Sequence, residues 1–270
     1  MNPILLDLGF IQIRWYSFLV LSAFIIGYLL VIDKCKKKEI SLTTISDMCF
    51  YLVISCIIGA RLYYCLFYVN ELGINPYFQN PIDILKIWEG GLAIHGGIIA
   101  GFICLLIYSK NKKLNLLELL DIFAPALVLG QCIGRWGNFF NSEAFGPEVS
   151  INTLKGLPIP NFIIDGMYID GAYHHPTFFY ESIGCLIIFI ILLIIRNKTK
   201  NGQVAGIYFM LYGIIRFLIE SLRTDSLMIF NLKIAMIVSI LMILIGLYLF
   251  IRPYIRSKND KQEVGHNTKR

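Results

Sequence analysis

The chain has 270 residues, of which 57% are hydrophobic and 16% charged, with a formal net charge of +6 and a mean hydropathy of +0.67. A soluble domain of this length needs more polar surface to cover its core, so an ordinary globular fold is excluded. Most basic residues lie in short loops between apolar runs, which argues against nucleic acid as a partner.

The apolar residues gather near 15–32, 47–68, 91–108, 117–135, 177–195, 204–221 and 232–251. Runs of roughly 18–22 residues cross a bilayer as helices. The expected fold class is an all-α integral membrane protein of about seven transmembrane helices. Residues 1–252 form one polytopic domain and 253–270 a polar cytoplasmic tail. The first run follows Arg14, lacks the small-residue site of a cleavable signal, and ends in Lys34, Lys36, Lys37 and Lys38, a stop-transfer flank. Lys110, Lys112 and Lys113, then Arg196, Lys198 and Lys200, then Arg256, Lys258, Lys261, Lys269 and Arg270 fall on that same side. The opposite loops carry only Lys86, Lys155, Arg223 and Lys233. The positive-inside rule therefore puts the N-terminus outside and the C-terminus in the cytoplasm. The seven cysteines (35, 49, 56, 65, 104, 132 and 185) include no C-x-x-C pair, and six sit in or beside apolar runs. They read as small hydrophobes and imply neither a disulfide framework nor a metal site.

An ionisable group within a bilayer needs a partner, a cavity or a function. In this orientation the polar residues favour the outer half. Arg61 in the second span reads as a structural counter-ion for a carboxylate such as Glu181, or as a site residue. His95 follows Gly90-Gly91 and precedes Gly96-Gly97. These glycines suit close helix packing, with Gly97-x-x-x-Gly101, and equally let a substrate approach the ring. The fourth span ends in Gly134 to Gly146, where free backbone N–H groups and the Arg135 guanidinium suit a phosphate; a helix cap followed by a turn is the plainer reading. Residues 136–176 form a small irregular or partly stranded extracytoplasmic head. His174 and His175 are adjacent, so their rings diverge, and no third ligand is spaced for a metal. Tyr212, Arg216 and Glu220 recur at i, i+4 and i+8, a stripe on one helix face. A self-neutralising pair that fixes packing explains the stripe, as does headgroup binding. His266, in the tail, is assigned no role. The absence of an internal repeat argues against a transporter built from inverted halves.

Residues Gly134 to Gly146 match in full the thirteen-residue pattern G-R-x-G-N-F-x-N-x-E-x-x-G, and there the chain resembles the bacterial prolipoprotein diacylglyceryl transferases. The resemblance extends in order through Trp15-Tyr16, Gly59-x-Arg61, Trp88-Glu89-Gly90-Gly91, His95-Gly96-Gly97, His175-Pro176, Tyr180-Glu181, Tyr212, Arg216 and Glu220. Two positions depart: Ser142 stands where glycine is frequent, and Phe178 where a polar residue is common. The resemblance implies that a diacylglyceryl unit moves from phosphatidylglycerol to the lipobox cysteine in a prolipoprotein signal peptide. A thioether forms and glycerol 1-phosphate leaves, among the membrane lipids of the bacterial cell membrane. Neither a metal nor an organic cofactor is implied.

Under that reading Arg135 and Arg216 bind the anionic headgroup and stabilise charge as the C–O bond breaks. A thiol is mostly protonated at neutral pH and needs a base, for which His95 is the candidate. An arginine-bound phosphate oxygen and Glu220 are the other candidates. Tyr16, Asn138, Asn141, Gly146 and Tyr212 line the headgroup, and Glu220 holds Arg216. Arg61, Glu143, Tyr180 and Glu181 support the site. Two other classes fit less well. A flippase using the same arginines predicts polar residues through the full membrane depth, whereas the inner halves are apolar. A metal-dependent phosphatidyl enzyme needs an Asp-rich cluster, and Asp33, Asp47 and Asp121 are isolated.

Overall fold

The computed structural model describes residues 2–9, 12–70, 73–223, 228–229 and 232–267, with the backbone alone at 229, 232 and 256–267. A hairpin of β1 (Ile4–Asp7) and β2 (Gln12–Arg14) leads into α1 (Trp15–Lys36) and α2 (Leu42–Phe67). The short α3 (Pro76–Gln79) and two 3-10 turns (Pro81–Leu85 and Ile87–Glu89) precede α4 (Ile94–Asn111) and α5 (Leu116–Phe140). Next come α6 (Ile151–Lys155), α7 (Asn161–Gly166) and the hairpin of β3 (Tyr168–Ile169) and β4 (Ala172–Tyr173). The chain closes with α8 (Thr177–Ile195), α9 (Gln203–Leu222), the hairpin of β5 (Met228–Ile229) and β6 (Leu232–Lys233), and α10 (Ile234–Asn267). Among the described residues α1, α2, α4, α5, α8, α9 and the Ile234–Ile255 part of α10 are long and apolar enough to cross a membrane, seven in all. The protein is a mainly helical, multi-pass membrane protein.

Among the boundaries that move from their expected places, two have a local reason. Helix α2 starts at Leu42 because the Ser41 hydroxyl accepts from the Thr44 N–H at 3.2 Å, a side-chain N-cap. Helix α5 continues through the glycines to Phe140, since a membrane helix tolerates glycine when neighbours pack against it. Helix α10 runs past Pro253 to Asn267, beyond the expected end of its span. The side chains of Arg256, Lys258, Lys261 and His266, and residues Lys269 and Arg270, lie outside the described residues.

The chain forms two compact units, Met1–Val31 with Leu120–Arg270, and Ile32–Leu119. In the first, α9 packs against α8 and α10, around a core that includes Val128, Cys185, Ile188, Leu192, Val204 and Tyr208. The loop after α5 is partly stranded, one of its two expected forms, and holds two short helices besides. Its two short helices and hairpin enclose their own apolar cluster of Phe139, Leu154, Ile159, Ile163, Ile164, Met167 and Phe178. Phe178 stacks on Phe139 with ring centroids 4.8 Å apart, so this departure from the resembled family belongs to the head's core. In the second unit α2 packs along α4, and Tyr108 donates to the Thr44 carbonyl at 2.9 Å.

Candidate active site

The polar groups of the first unit converge on Glu181, in the second turn of α8 and 1% exposed. Its Oε1 accepts from Arg135 Nη2 at 2.6 Å and from the Tyr212 hydroxyl at 3.1 Å; its Oε2 accepts from Arg216 Nη1 at 3.2 Å. Glu220 Oε2 lies 2.6 Å from Arg216 Nη2. That is an ion contact outside hydrogen-bond angles, for this oxygen accepts no hydrogen bond among the described residues. The four-residue spacing thus turns one face of α9 toward α8, and α5 supplies the second guanidinium. Two cations meet two anions, so each buried charge has an opposite charge beside it to offset its desolvation.

Exposure is divided unequally within this set. The carboxylate side chains are 2% and 3% exposed, whereas Arg135 and Arg216 keep 19% and 18%. The acids hold the guanidiniums from the buried side and leave an accessible edge on each. An arginine has five N–H donors in a planar fork, so donors remain for an incoming anion.

The segment after Arg135 corrects one expectation. Residues 134–140 are helical, so their N–H groups are committed within α5. Beyond them Asn141 N bonds Gly137 O at 3.0 Å, Ser142 N bonds Phe139 O at 3.1 Å, and Glu143 N bonds Asn138 O at 3.0 Å. The Gly146 N–H donates to His175 O at 2.9 Å. Of the two readings, the helix cap followed by a turn describes the backbone over these residues, and the Arg135, Asn138 and Asn141 side chains carry donors beside it. Glu143 Oε1 collects Asn138 Nδ2 at 2.8 Å and Asn141 Nδ2 at 3.3 Å. Asn138 Oδ1 receives a long contact of 3.5 Å from Arg135 Nη1. Gly137 is explained by close approach, since a Cβ there would lie 2.3 Å from the Tyr16 ring. Trp15 stacks on Phe140 at 4.5 Å, which seats Tyr16 and α1 on the end of α5. Ser142 sits at φ 52°, in the left-handed region that favours glycine.

His174 and His175 part as adjacent residues should. His174 Nδ1 lies 3.0 Å from Gly146 O, and His175 Nδ1 lies 3.1 Å from the Tyr180 hydroxyl. Among the described residues no three His, Cys, Asp or Glu side chains gather as a metal site.

Arg61 and His95 belong to the second unit. Within its own unit Arg61 is held by the backbone. Its guanidinium donates to the backbone carbonyls of Asp83, Ile84, Gly90 and Gly91. His95 is exposed in the first turn of α4, with its ring centroid 6.0 Å from that of Tyr63. Of the two readings of its glycines, close packing is the one with contacts. A Cβ on Gly96 would lie 2.2 Å from Gly59 O, and one on Gly97 would lie 3.3 Å from Cys56 O.

Several positioning groups escape sequence reasoning. Asp121 on α5 accepts from Gly202 N at 2.6 Å and Ala205 N at 2.8 Å, capping α9. Lys233 Nζ donates to Glu220 O at 2.7 Å and Arg223 O at 2.6 Å at the other end of that helix. An anion at a helix N-terminus and a cation at its C-terminus both complement its dipole. Ser182 ties α8 to α5, donating to Cys132 O at 2.9 Å and receiving Trp136 Nε1 at 3.1 Å. The signal for Asp121 was a carboxylate inside an apolar run, which its distance from other acids made easy to set aside.

The family description of prolipoprotein diacylglyceryl transferase matches residues 3–252. A relative from Staphylococcus xylosus, named phosphatidylglycerol–prolipoprotein diacylglyceryl transferase, is 41% identical over 267 residues, covering 98% of this chain and 94% of that protein. The protein of the same name from Staphylococcus aureus (strain Newman) is 45% identical over 252 residues, covering 93% and 88%. With the Arg135–Glu181–Arg216–Glu220 cluster at the ends of its helices and this similarity along nearly its whole length, the chain belongs to the prolipoprotein diacylglyceryl transferase family.

Proposed function

We propose that the protein transfers the diacylglyceryl unit of phosphatidylglycerol to the thiol of a prolipoprotein lipobox cysteine, the first step of bacterial lipoprotein maturation. The sulfur attacks the lipid's glycerol carbon, the C–S bond forms, the C–O bond to phosphate breaks, and glycerol 1-phosphate leaves. The observation that carries this reading is the pair of partly exposed guanidiniums, Arg135 and Arg216, backed by buried Glu181 and Glu220. Such a pair matches a phosphodiester in the ground state and gains more as charge grows on the leaving phosphate.

In this proposal Tyr16, Asn138, Asn141 and Tyr212 surround the headgroup. Gly146 shapes the wall, because a Cβ there would lie 2.8 Å from His175 Cβ. Glu143 orients the two asparagines, and Tyr180 steadies His175. His95 is the base that takes the thiol proton, its exposed imidazole supporting the role. Arg61 supports the second unit. The enzyme works in the bacterial cell membrane with its N-terminus outside and C-terminus in the cytoplasm, a reading supported by Lys34–Lys38, Lys110–Lys113 and Arg196–Lys200 on one side.

The test is purified full-length protein in detergent with phosphatidylglycerol and a lipobox peptide, following glycerol phosphate. Release that requires the peptide cysteine supports the transferase. Lipid movement without release, or release indifferent to a Cys→Ser peptide, overturns it.

A further inference from the structure

Arg61 is 4% exposed on α2, and no carboxylate among the described residues of its own unit pairs with it. Nε donates to Ile84 O at 2.9 Å, Nη1 to Gly90 O at 2.6 Å and Gly91 O at 3.2 Å, and Nη2 to Asp83 O at 2.6 Å. The Tyr77 ring covers the guanidinium, its centroid 5.2 Å from Cζ. A buried cation spent wholly on carbonyls of one stretch, 83–91, acts as the mould of that stretch. The planar fork of arginine can serve several acceptors at once, which an ammonium cannot reproduce in the same place.

The neighbours of Arg61 on α2 hold the chain just beyond that stretch. Ala60 O accepts from Ala93 N at 3.0 Å, the Gly59 backbone touches Gly96, and the Tyr63 ring lies beside the His95 ring. Residues 59–63 of α2 therefore set the path of residues 90–96, the first turn of α4 included. Gly91 completes the fit: its φ is +74°, and a Cβ there would lie 2.8 Å from Arg61 Nη1 and 2.5 Å from the Tyr64 ring.

Resting on the reading of His95 as the base, we propose that Arg61 is the positioning residue of His95. By gathering the carbonyls of 83–91 it fixes where α4 begins and so where the imidazole stands. Arg61 does not touch substrate in this scheme and acts only through His95.

The test is a double-mutant cycle in the detergent-purified full chain, with Arg61→Lys, His95→Gln and the double variant. Arg61→Lys is expected to lower kcat about tenfold or more, as misplacement of a reacting group does, with KM for phosphatidylglycerol nearly unchanged. The double variant is expected to be no slower than His95→Gln alone, since Arg61 then has nothing left to act through. Losses that multiply, or an Arg61→Lys enzyme with wild-type kcat, overturn the proposal. A second readout needs no turnover. Carbethoxylation of His95 by diethyl pyrocarbonate, followed on its peptide by mass spectrometry, changes in Arg61→Lys while that of His175 does not. An unchanged rate at His95 overturns the proposal. Wild-type turnover in His95→Gln sinks the base assignment itself, an outcome distinct from either. If Arg61→Lys aggregates, Gly91→Ala perturbs the same loop and takes its place; aggregation of both makes Arg61 a requirement of folding and overturns the positioning role.

Discussion

Replacing Glu181 with glutamine removes the negative charge on which Arg135, Arg216 and Tyr212 converge. The amide oxygen can still accept from Arg135 and Tyr212, but the amide NH2 then faces Arg216 Nη1, donor against donor, at a site now 3.2 Å across. Each lost ion pair is worth about 4 kcal/mol at roughly 4 Å and an effective dielectric near 20. Two are lost, and the gross loss is offset because a buried carboxylate no longer has to be desolvated or held near Glu220. Removal of one partner from a buried pair leaves a net loss of about 3–5 kcal/mol, toward the lower end here because both guanidiniums keep solvent contact. The measurement is the thermal midpoint of wild type and Glu181→Gln in detergent, each with phosphatidylglycerol and with a zwitterionic lipid of the same chains. The variant should melt well below wild type. Phosphatidylglycerol, which brings back an anion, should raise its midpoint more than it raises that of wild type, and the zwitterionic lipid should not. A variant as stable as wild type, or rescue equal for both lipids, refutes the charge-balance argument.

Arg135→Ala and Arg216→Ala should each lower kcat at least about a hundredfold, as loss of a charge-stabilising donor does, while remaining monodisperse in gel filtration; full turnover in both would remove the headgroup assignment. Gly137→Leu should raise KM for phosphatidylglycerol by displacing the Tyr16 ring that now lies over that glycine, read from initial rates at varied lipid. Ser142→Gly should stabilise the protein by about 1 kcal/mol by relieving a left-handed backbone, measured by thermal melting with turnover unchanged. Asp121→Ala should destabilise it by about 1–2 kcal/mol through loss of the α9 cap, with a chelator leaving the turnover of both wild type and variant unaffected.

The spans were legible because length and hydropathy speak for a bilayer without reference to tertiary contacts. Arg135, Arg216 and Glu220 were legible because a charge in such a run must be answered. Glu181 was visible as a residue but not as the hub, for its two arginine partners stand 46 and 35 positions away, and nothing local announces them. The end of α5 was misplaced because glycines and asparagines read as a stop, whereas Tyr16 packing on Gly137 lets the helix continue. The carbonyl partners of Arg61 were illegible for a different reason. Sequence offers carboxylates as partners for a cation, while carbonyls, carried by every residue, leave no mark in it. The head looked irregular because its apolar residues come in short pieces that meet only in three dimensions.

The order in which the four charges of the cluster occur along the chain has a consequence for biosynthesis. Arg135 is made first, then Glu181, then Arg216, then Glu220, so their signs alternate as the nascent chain enters the bilayer. The running sum rises to one positive charge, returns to zero with α8, and repeats the cycle with α9. At no stage does the cluster hold two like charges without an opposite. Transposing Arg216 and Glu220 would keep that tally equally small, but exchanging Glu181 with Arg216 would load the membrane with two cations before the first anion arrived.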